Sequence, residues 1–242
     1  MRDWLQLIPT IVTAVVGLAG LLGLAKYLIE PWYSARALRR KYATALWIAC
    51  SDLHIHLDRI REQMGAGDPR TRNALKKIPR NDSGRRADWF AKEGYYTTTT
   101  AYKIAAVSAW LRIYQRELLF LPYAASRSFL SQLYARADEL KSSISTKTCF
   151  WYDYLDAVGD RLVSQLGDVG SGGSLAPMSF AEFCRRYATD QDFLLFYDQV
   201  HRYIHLIGDG QPPYIESVKK VLESLKKVMG FLERQRLLPR AY

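Results

Sequence analysis

Residues 52–58 read Asp52-Leu53-His54-Ile55-His56-Leu57-Asp58, and the period of this stretch decides the fold. On a strand, where side chains alternate between faces, His54 and His56 share one face and could hold a metal ion. On a helix they stand about 200° apart and diverge. The flanking sequence settles the choice. Leu46, Cys50, Leu53, Leu57, Ile60 and Met64 recur at steps of four, three, four, three and four, the spacing of a helix with one buried stripe. Asp52 then neighbours His56, and His54 neighbours Asp58, as surface pairs at i,i+4.

Helical period continues through the rest of the chain. The stripe predicts a first amphipathic helix over residues 33–64, beginning after Pro31. From Tyr95 a run of hydroxyls gives way to a segment apolar on nearly every face, the expected central helix of a bundle. Its charges, Lys103, Arg112, Arg116 and Glu117, exclude it as a membrane span, because each costs about 2.5–3.5 kcal/mol at the bilayer centre. Phe129, Leu133, Ala137, Leu140 and Ile144 mark another helix, and Trp151, Leu155, Val158, Leu162 and Leu166 a further one. Ser179 with Glu182 three residues on is a capping-box pattern. The last helix, over residues 214–237, spaces Ile215, Val218, Leu222, Leu225, Met229 and Leu232 at three and four, with Glu216–Lys220 and Glu223–Lys227 as exposed pairs. Fewer than three heptads favour packing within the chain over an autonomous coiled coil. Residues 65–91 and 167–178, rich in proline, glycine or both, read as loops. No strand and no internal repeat is expected.

Residues 5–25 carry no charge and one amide, Gln6. Twenty-one residues at about 1.5 Å each cross a hydrocarbon core of roughly 30 Å. Trp4 on one side and Tyr27, Trp32 and Tyr33 on the other suit the two interfacial belts. Lys26, Arg36, Arg39, Arg40 and Lys41 follow the run, against Arg2 and Asp3 before it, so the positive-inside rule places the N-terminus outside and the bulk of the chain in the cytoplasm. Gly23-Leu24-Ala25 has the form of a signal cleavage site, but the apolar run exceeds the ~7–15 residues of a signal core and the basic cluster resists translocation. Thr13, Gly17, Gly20 and Gly23 present small residues through which two such helices could approach closely. The expected fold is therefore all-α: a single-pass transmembrane helix in residues 1–30, then a cytoplasmic multi-helix bundle over residues 31–242.

The balance of 34 Lys and Arg against 24 Asp and Glu gives a net charge of +10, which favours anionic partners. Arg70, Arg72, Lys76, Lys77, Arg80, Arg85 and Arg86 concentrate it within one predicted loop. No aromatic residue lies between Arg70 and Arg86, whereas binders of single-stranded nucleic acid set stacking rings among their cations. Docking on an anionic lipid surface and a solvated structural loop are equally weighted readings, and nucleic acid is the disfavoured one. Three widely spaced cysteines, Cys50, Cys149 and Cys184, form no metal knuckle and predict a reducing compartment.

The motifs that would declare a reaction are incomplete. His201 and His205 have the i,i+4 spacing of zinc ligands on a helix, but Arg202 stands where a zinc protease needs glutamate. Residues 170–173, Gly-Ser-Gly-Gly, lack the Lys-Ser/Thr ending of a phosphate loop. There is no Gly-x-Ser-x-Gly elbow, and no arginine precedes a histidine by four to six residues as in bundle-type ribonucleases. No cofactor or metal is expected. Arg112, Arg116 and Glu117 remain as a candidate polar pocket for a phosphate-bearing ligand.

At Tyr95-Tyr-x-Thr, Trp110-Leu-x-Ile and Ser179-Phe-Ala-Glu-Phe-Cys the chain resembles a group of bacterial membrane-anchored helical proteins. The resemblance rests on packing residues, carries no known activity, and implies bacterial membrane origin. The expected role is a membrane-anchored, self-associating interaction or effector protein with an unidentified cytoplasmic partner. A tethered enzyme or sensor for a phosphate-bearing ligand or nucleic acid is the alternative.

Overall fold

The computed structural model describes residues 4–77, 94–119, 127–145, 153–165, 175–235 and 237–238, with backbone alone for 4–32 and a few further helix and strand ends. Its helices are α1 Trp4–Gly65, α2 Pro69–Leu75, α3 Tyr95–Leu119, α4 Arg127–Ile144, α5 Tyr154–Leu162, α6 Phe180–Thr189, α7 Gln191–Phe196, α8 Asp198–Gly208 and α9 Pro212–Arg234. The fold is all-α apart from one small antiparallel pair, β1 Val163–Gln165 and β2 Leu175–Pro177.

The helical reading of residues 52–58 holds. Tyr42, Leu46, Cys50, Leu53, Leu57 and Ile60 are all buried along one side of α1. That side packs against α3 and α9, while α3 also carries α5, and α9 packs on α4. α3 is thus the central helix, buried from Thr97 to Gln115 on most of its surface. Its opening threonines, which as β-branched residues gain little from a helix, are used for bonding instead. Thr97 Oγ1 donates to the Ala74 carbonyl at the end of α2 (2.8 Å) and Thr100 Oγ1 to the Tyr96 carbonyl (2.8 Å). α2 and α8 pack together at the end of the bundle where α1 finishes.

Four expectations change. α1 passes through Pro31 as one 62-residue helix, rather than starting anew near Tyr33. Within the predicted loop at 65–91 lies α2: the Asp68 carboxylate accepts from the Arg70 and Thr71 amides (3.0 and 3.3 Å), and Pro69 opens the helix where its missing N–H costs nothing. The helix expected to reach Leu166 ends at Leu162, and its successor residues pair as β1 with β2, which lies in the second predicted loop. The surface pairs Glu216–Lys220 and Glu223–Lys227 are replaced by Glu216 with Lys219 (3.6 Å) and by Lys227 with Glu139 of α4. The capping signal at Ser179 is realised, its hydroxyl accepting from the Glu182 amide at 3.2 Å.

Among the described residues no helix is long and apolar enough to cross a membrane. The uncharged run at residues 5–25 belongs to α1, but its side chains, with Trp4, Tyr27, Trp32, Thr13, Gly17, Gly20 and Gly23, lie outside the described residues.

Two helix crossings depend on glycine. A Cβ on Gly159 of α5 would meet the Ser108 carbonyl carbon of α3 at 2.7 Å, and one on Gly208 of α8 would meet Leu75 Cβ of α2 at 2.8 Å. At Gly159 the neighbour is backbone and cannot swing away. Gly159→Ala should therefore destabilise the bundle by about 1–3 kcal/mol through overpacking, although alanine is intrinsically the better helix former. Gly230→Ala, in α9 with only the Arg234 guanidinium nearby at 3.5 Å, should be neutral or stabilising by up to about 1 kcal/mol. Urea unfolding of both variants compares them directly, and equal midpoints would remove the crossing as a constraint.

Candidate functional site

The seam between α1 and α3 opens into a groove of about 510 Å³. Ile48 and Asp52 of α1 form one wall. Tyr95, Tyr102, Lys103 and Trp110 of α3 form the other, and Phe180 at the start of α6 closes one side. The rings are held by their neighbours. Phe180 meets Tyr95 edge-on at 5.9 Å and Tyr102 at 5.2 Å, and the Tyr102 hydroxyl donates to the Met178 carbonyl at 3.0 Å. Ile48 and Tyr95 remain 49% and 56% exposed, so the groove presents apolar surface that the described residues do not cover. Its charges are the Asp52 carboxylate and the Lys103 ammonium, which donates to the Asp52 backbone carbonyl at 3.3 Å. Aromatic and aliphatic walls with one charge of each sign suit an apolar side chain better than a phosphate, which calls for several convergent donors.

The candidate polar pocket at Arg112, Arg116 and Glu117 takes a different form. Arg112 bonds Asp160 of α5 through Nε to Oδ1 (3.1 Å) and through one terminal nitrogen to Oδ2 (3.2 Å), and Arg116 adds a bond to Oδ1 (3.0 Å). The Asp160 bonds raise the Arg112 pKa against the opposing effect of desolvation. Glu117 lies apart from this fork, near Tyr42, whose pKa is raised first by burial and then by that carboxylate. One turn away, buried Lys141 of α4 meets Asp156 of α5 at 2.6 Å. These side chains clamp α3, α4 and α5 together, and the position a phosphate would take in the arginine fork is filled by a carboxylate of the chain itself.

The histidines are also absorbed locally. His56 is not a surface partner of Asp52: it is 8% exposed, and its Nε2 lies 2.7 Å from Thr100 Oγ1. The single Thr100 proton goes to Tyr96, so His56 must donate, which fixes the neutral Nε2–H tautomer. Burial, then Lys103 and Arg59, push its pKa down to about 4. Asp58, the expected partner of His54, pairs with Arg61 at 2.6 Å. On α8, His201 is buried against the Tyr187 hydroxyl (3.0 Å), and burial lowers its pKa to about 3. His205 Nδ1 lies 3.1 Å from the Lys76 carbonyl. Among the described residues no three His, Cys, Asp or Glu side chains gather as a metal site. The Cys50 thiol, fully buried in α1, is pushed up to about 12 and is inert as a nucleophile.

Of the basic stretch, Arg70 and Arg72 lie on α2, Lys76 ends it and pairs with Asp209 at 2.7 Å, and Lys77 follows. Arg80, Arg85 and Arg86 lie outside the described residues. Tyr33, the one proposed belt residue whose side chain is described, is 62% exposed.

No family model, curated protein or solved structure matches the chain.

The two buried histidines predict an acid weakness with a definite sign. Their folded pKa values lie below the ~6.5 of an unfolded histidine, so the unfolded chain binds more protons in between. Stability from this source is complete above pH ~6.5 and is lost as pH falls toward about 4 for His56 and about 3 for His201. His56→Gln should flatten the fall in urea-unfolding free energy between roughly pH 6.5 and 4.5 relative to the parent; parallel curves would show that His56 is not held neutral.

Proposed function

We propose that this chain is a bacterial, membrane-anchored helical interaction protein, held in the inner membrane by residues 5–25 with its bundle in the cytoplasm. The observation that carries this reading is the continuity of α1, a single helix from Trp4 to Gly65 that joins the uncharged run to the bundle core. Twenty-one uncharged residues match the hydrocarbon thickness, and the basic residues that follow set the orientation. An exposed Tyr33 ring suits the headgroup boundary. Small residues at Thr13, Gly17, Gly20 and Gly23 support self-association within the bilayer.

Interaction is favoured over binding of a phosphate-bearing ligand for two reasons. The arginine fork at Arg112 and Arg116 already holds Asp160, and the open groove beside α1 is aromatic with a single cation. That groove is the surface through which a cytoplasmic partner's apolar side chains would engage. Nucleic acid is a weaker candidate, since the basic stretch carries no stacking ring between Arg70 and Arg86.

The anchor is tested on the full chain. It should resist alkaline carbonate extraction from bacterial membranes, and a C-terminal fluorescent fusion should be bright while a C-terminal alkaline phosphatase fusion is inactive. Release by carbonate ends the anchor, and the reverse fusion pattern ends the orientation. Replacing Gly17, Gly20 and Gly23 with leucine should weaken crosslinked oligomers in membranes; unchanged crosslinking would remove the glycines from that role.

A further inference from the structure

The helices of the bundle alternate in direction, and this brings three helix ends to one place. His56 meets Thr100, the Asp52 carbonyl accepts from Lys103, and the Tyr42 and Trp110 rings lie 6.5 Å apart, so α3 runs antiparallel to α1 and its last turns reach the level of Arg39 and Tyr42. α4 begins at the same level, where the Arg39 guanidinium lies 3.9 Å over Phe129. α9 finishes there as well: Phe231 stacks on Phe129 at 5.1 Å, and Trp47 donates to Glu233 at 3.0 Å. This is the end at which α1 enters the bundle.

Among the described side chains its exposed charge is mostly of one sign. Arg36, Arg40 and Lys41 of α1, Arg116 of α3 and Arg234 of α9 are all exposed. Among the described residues the nearby carboxylates include Glu233, which accepts from Trp47, Glu117, half-buried beside Tyr42, and Asp160, shared between Arg112 and Arg116. Arg116 pairs with Asp160 at this end, as Arg61 does with Asp58, Lys76 with Asp209 and Lys219 with Glu216 at the opposite one.

We propose that this basic end, formed by Arg36, Arg40, Lys41, Arg116 and Arg234, docks on the anionic headgroups of the membrane in which α1 is anchored. The proposal rests on the anchor reading and adds a second contact to it. Distance along α1 selects this end over the basic stretch at α2. From Ala25 to Arg36 is about 16 Å of helix and to Lys41 about 24 Å, whereas Gly65, just before α2, lies roughly 60 Å along. Beyond the hydrocarbon core lie about 5–8 Å of headgroups on each side, and the field of anionic lipid fades over a Debye length of about 8–10 Å. Arg36 therefore stands at the outer edge of that field, and Arg40 and Lys41 reach back toward it through their long side chains. Arg70, Arg72 and Lys77 stand outside it unless the whole helix lies down.

The two groups can be compared within one molecule. The full chain is placed in lipid nanodiscs of phosphatidylcholine alone, or with about one third phosphatidylglycerol so that the surface potential is strongly negative. Accessible arginines are modified with phenylglyoxal and lysines by acetylation, each site being read by mass spectrometry. Phosphatidylglycerol should slow modification at Arg36, Arg40, Lys41, Arg116 and Arg234 by at least about threefold, and high salt should reverse it by screening. Arg70, Arg72 and Lys77 should react alike in both discs. A triple Arg40→Glu, Lys41→Glu, Arg234→Glu variant should lose the protection at Arg116 while still inserting into discs. Equal modification in the two lipids, or protection at Arg70, Arg72 and Lys77 instead, overturns the docking surface with the anchor intact. A chain that fails to insert into either disc overturns the anchor itself.

Discussion

The bundle hangs on the contact between Gly159 of α5 and the Ser108 backbone of α3. No side chain fits between the helices there, so the two backbones approach closely. The rest of α3 is built to the same tolerance, with Ala101, Ala105 and Ala109 buried along it. Close approach brings Asp160, the residue after Gly159, within reach of Arg112 one turn along from Ser108 and of Arg116 beyond it. It also brings the Val158 carbonyl to the Tyr197 hydroxyl at 3.4 Å. A chain with a larger residue at 159 would have to lift α5 away, and the ion pair and the tyrosine contact would lengthen together.

Outside that crossing the interior is unusually rich in rings that carry a polar atom. Tyr154, Tyr187, Tyr197 and Tyr203 all pack inward, and each hydroxyl has a partner: the Phe196 carbonyl, His201, the Val158 carbonyl and Ser217. Such groups bury large apolar area but fit only where one oxygen finds its bond. They specify the arrangement of α5 to α9 more tightly than leucines would. The same economy applies to two histidines: His56 and His201 serve as neutral hydrogen-bonding members of the core.

The stripe through Leu46, Leu53 and Ile60 was legible because burial on one side of a long helix leaves a 3.6-residue period that little else produces. The last helix was legible in kind but not in detail. Val221 and Val228 are buried while Ile215 and Met229 are only half-buried, because α9 touches both α1 and α4 and needs a broader face than a single seam. Asp68 followed by Pro69 carried a readable helix start that the surrounding glycines and charges obscured. The three-residue strands β1 and β2 were not readable, since a segment that short holds no period. Asp160 as partner of Arg112 and the groove beside Ile48 were also beyond sequence. One joins residues 48 apart, and the other is a gap between helices.

The antiparallel pairing of α1 with α9, set by Trp47 on Glu233, has a mechanical consequence. Both helices present their loaded ends at the same side of the bundle, α1 at its entry and α9 at its finish. A pull between those ends does not shear the two helices past each other, which would strain the whole interface at once. It opens them like a zip from the Trp47 side, stressing one turn at a time. Strand-like resistance to tension is thus absent from this seam, and a modest sustained force applied there would peel α9 from α1 before it disturbed the tight crossing of α3 and α5.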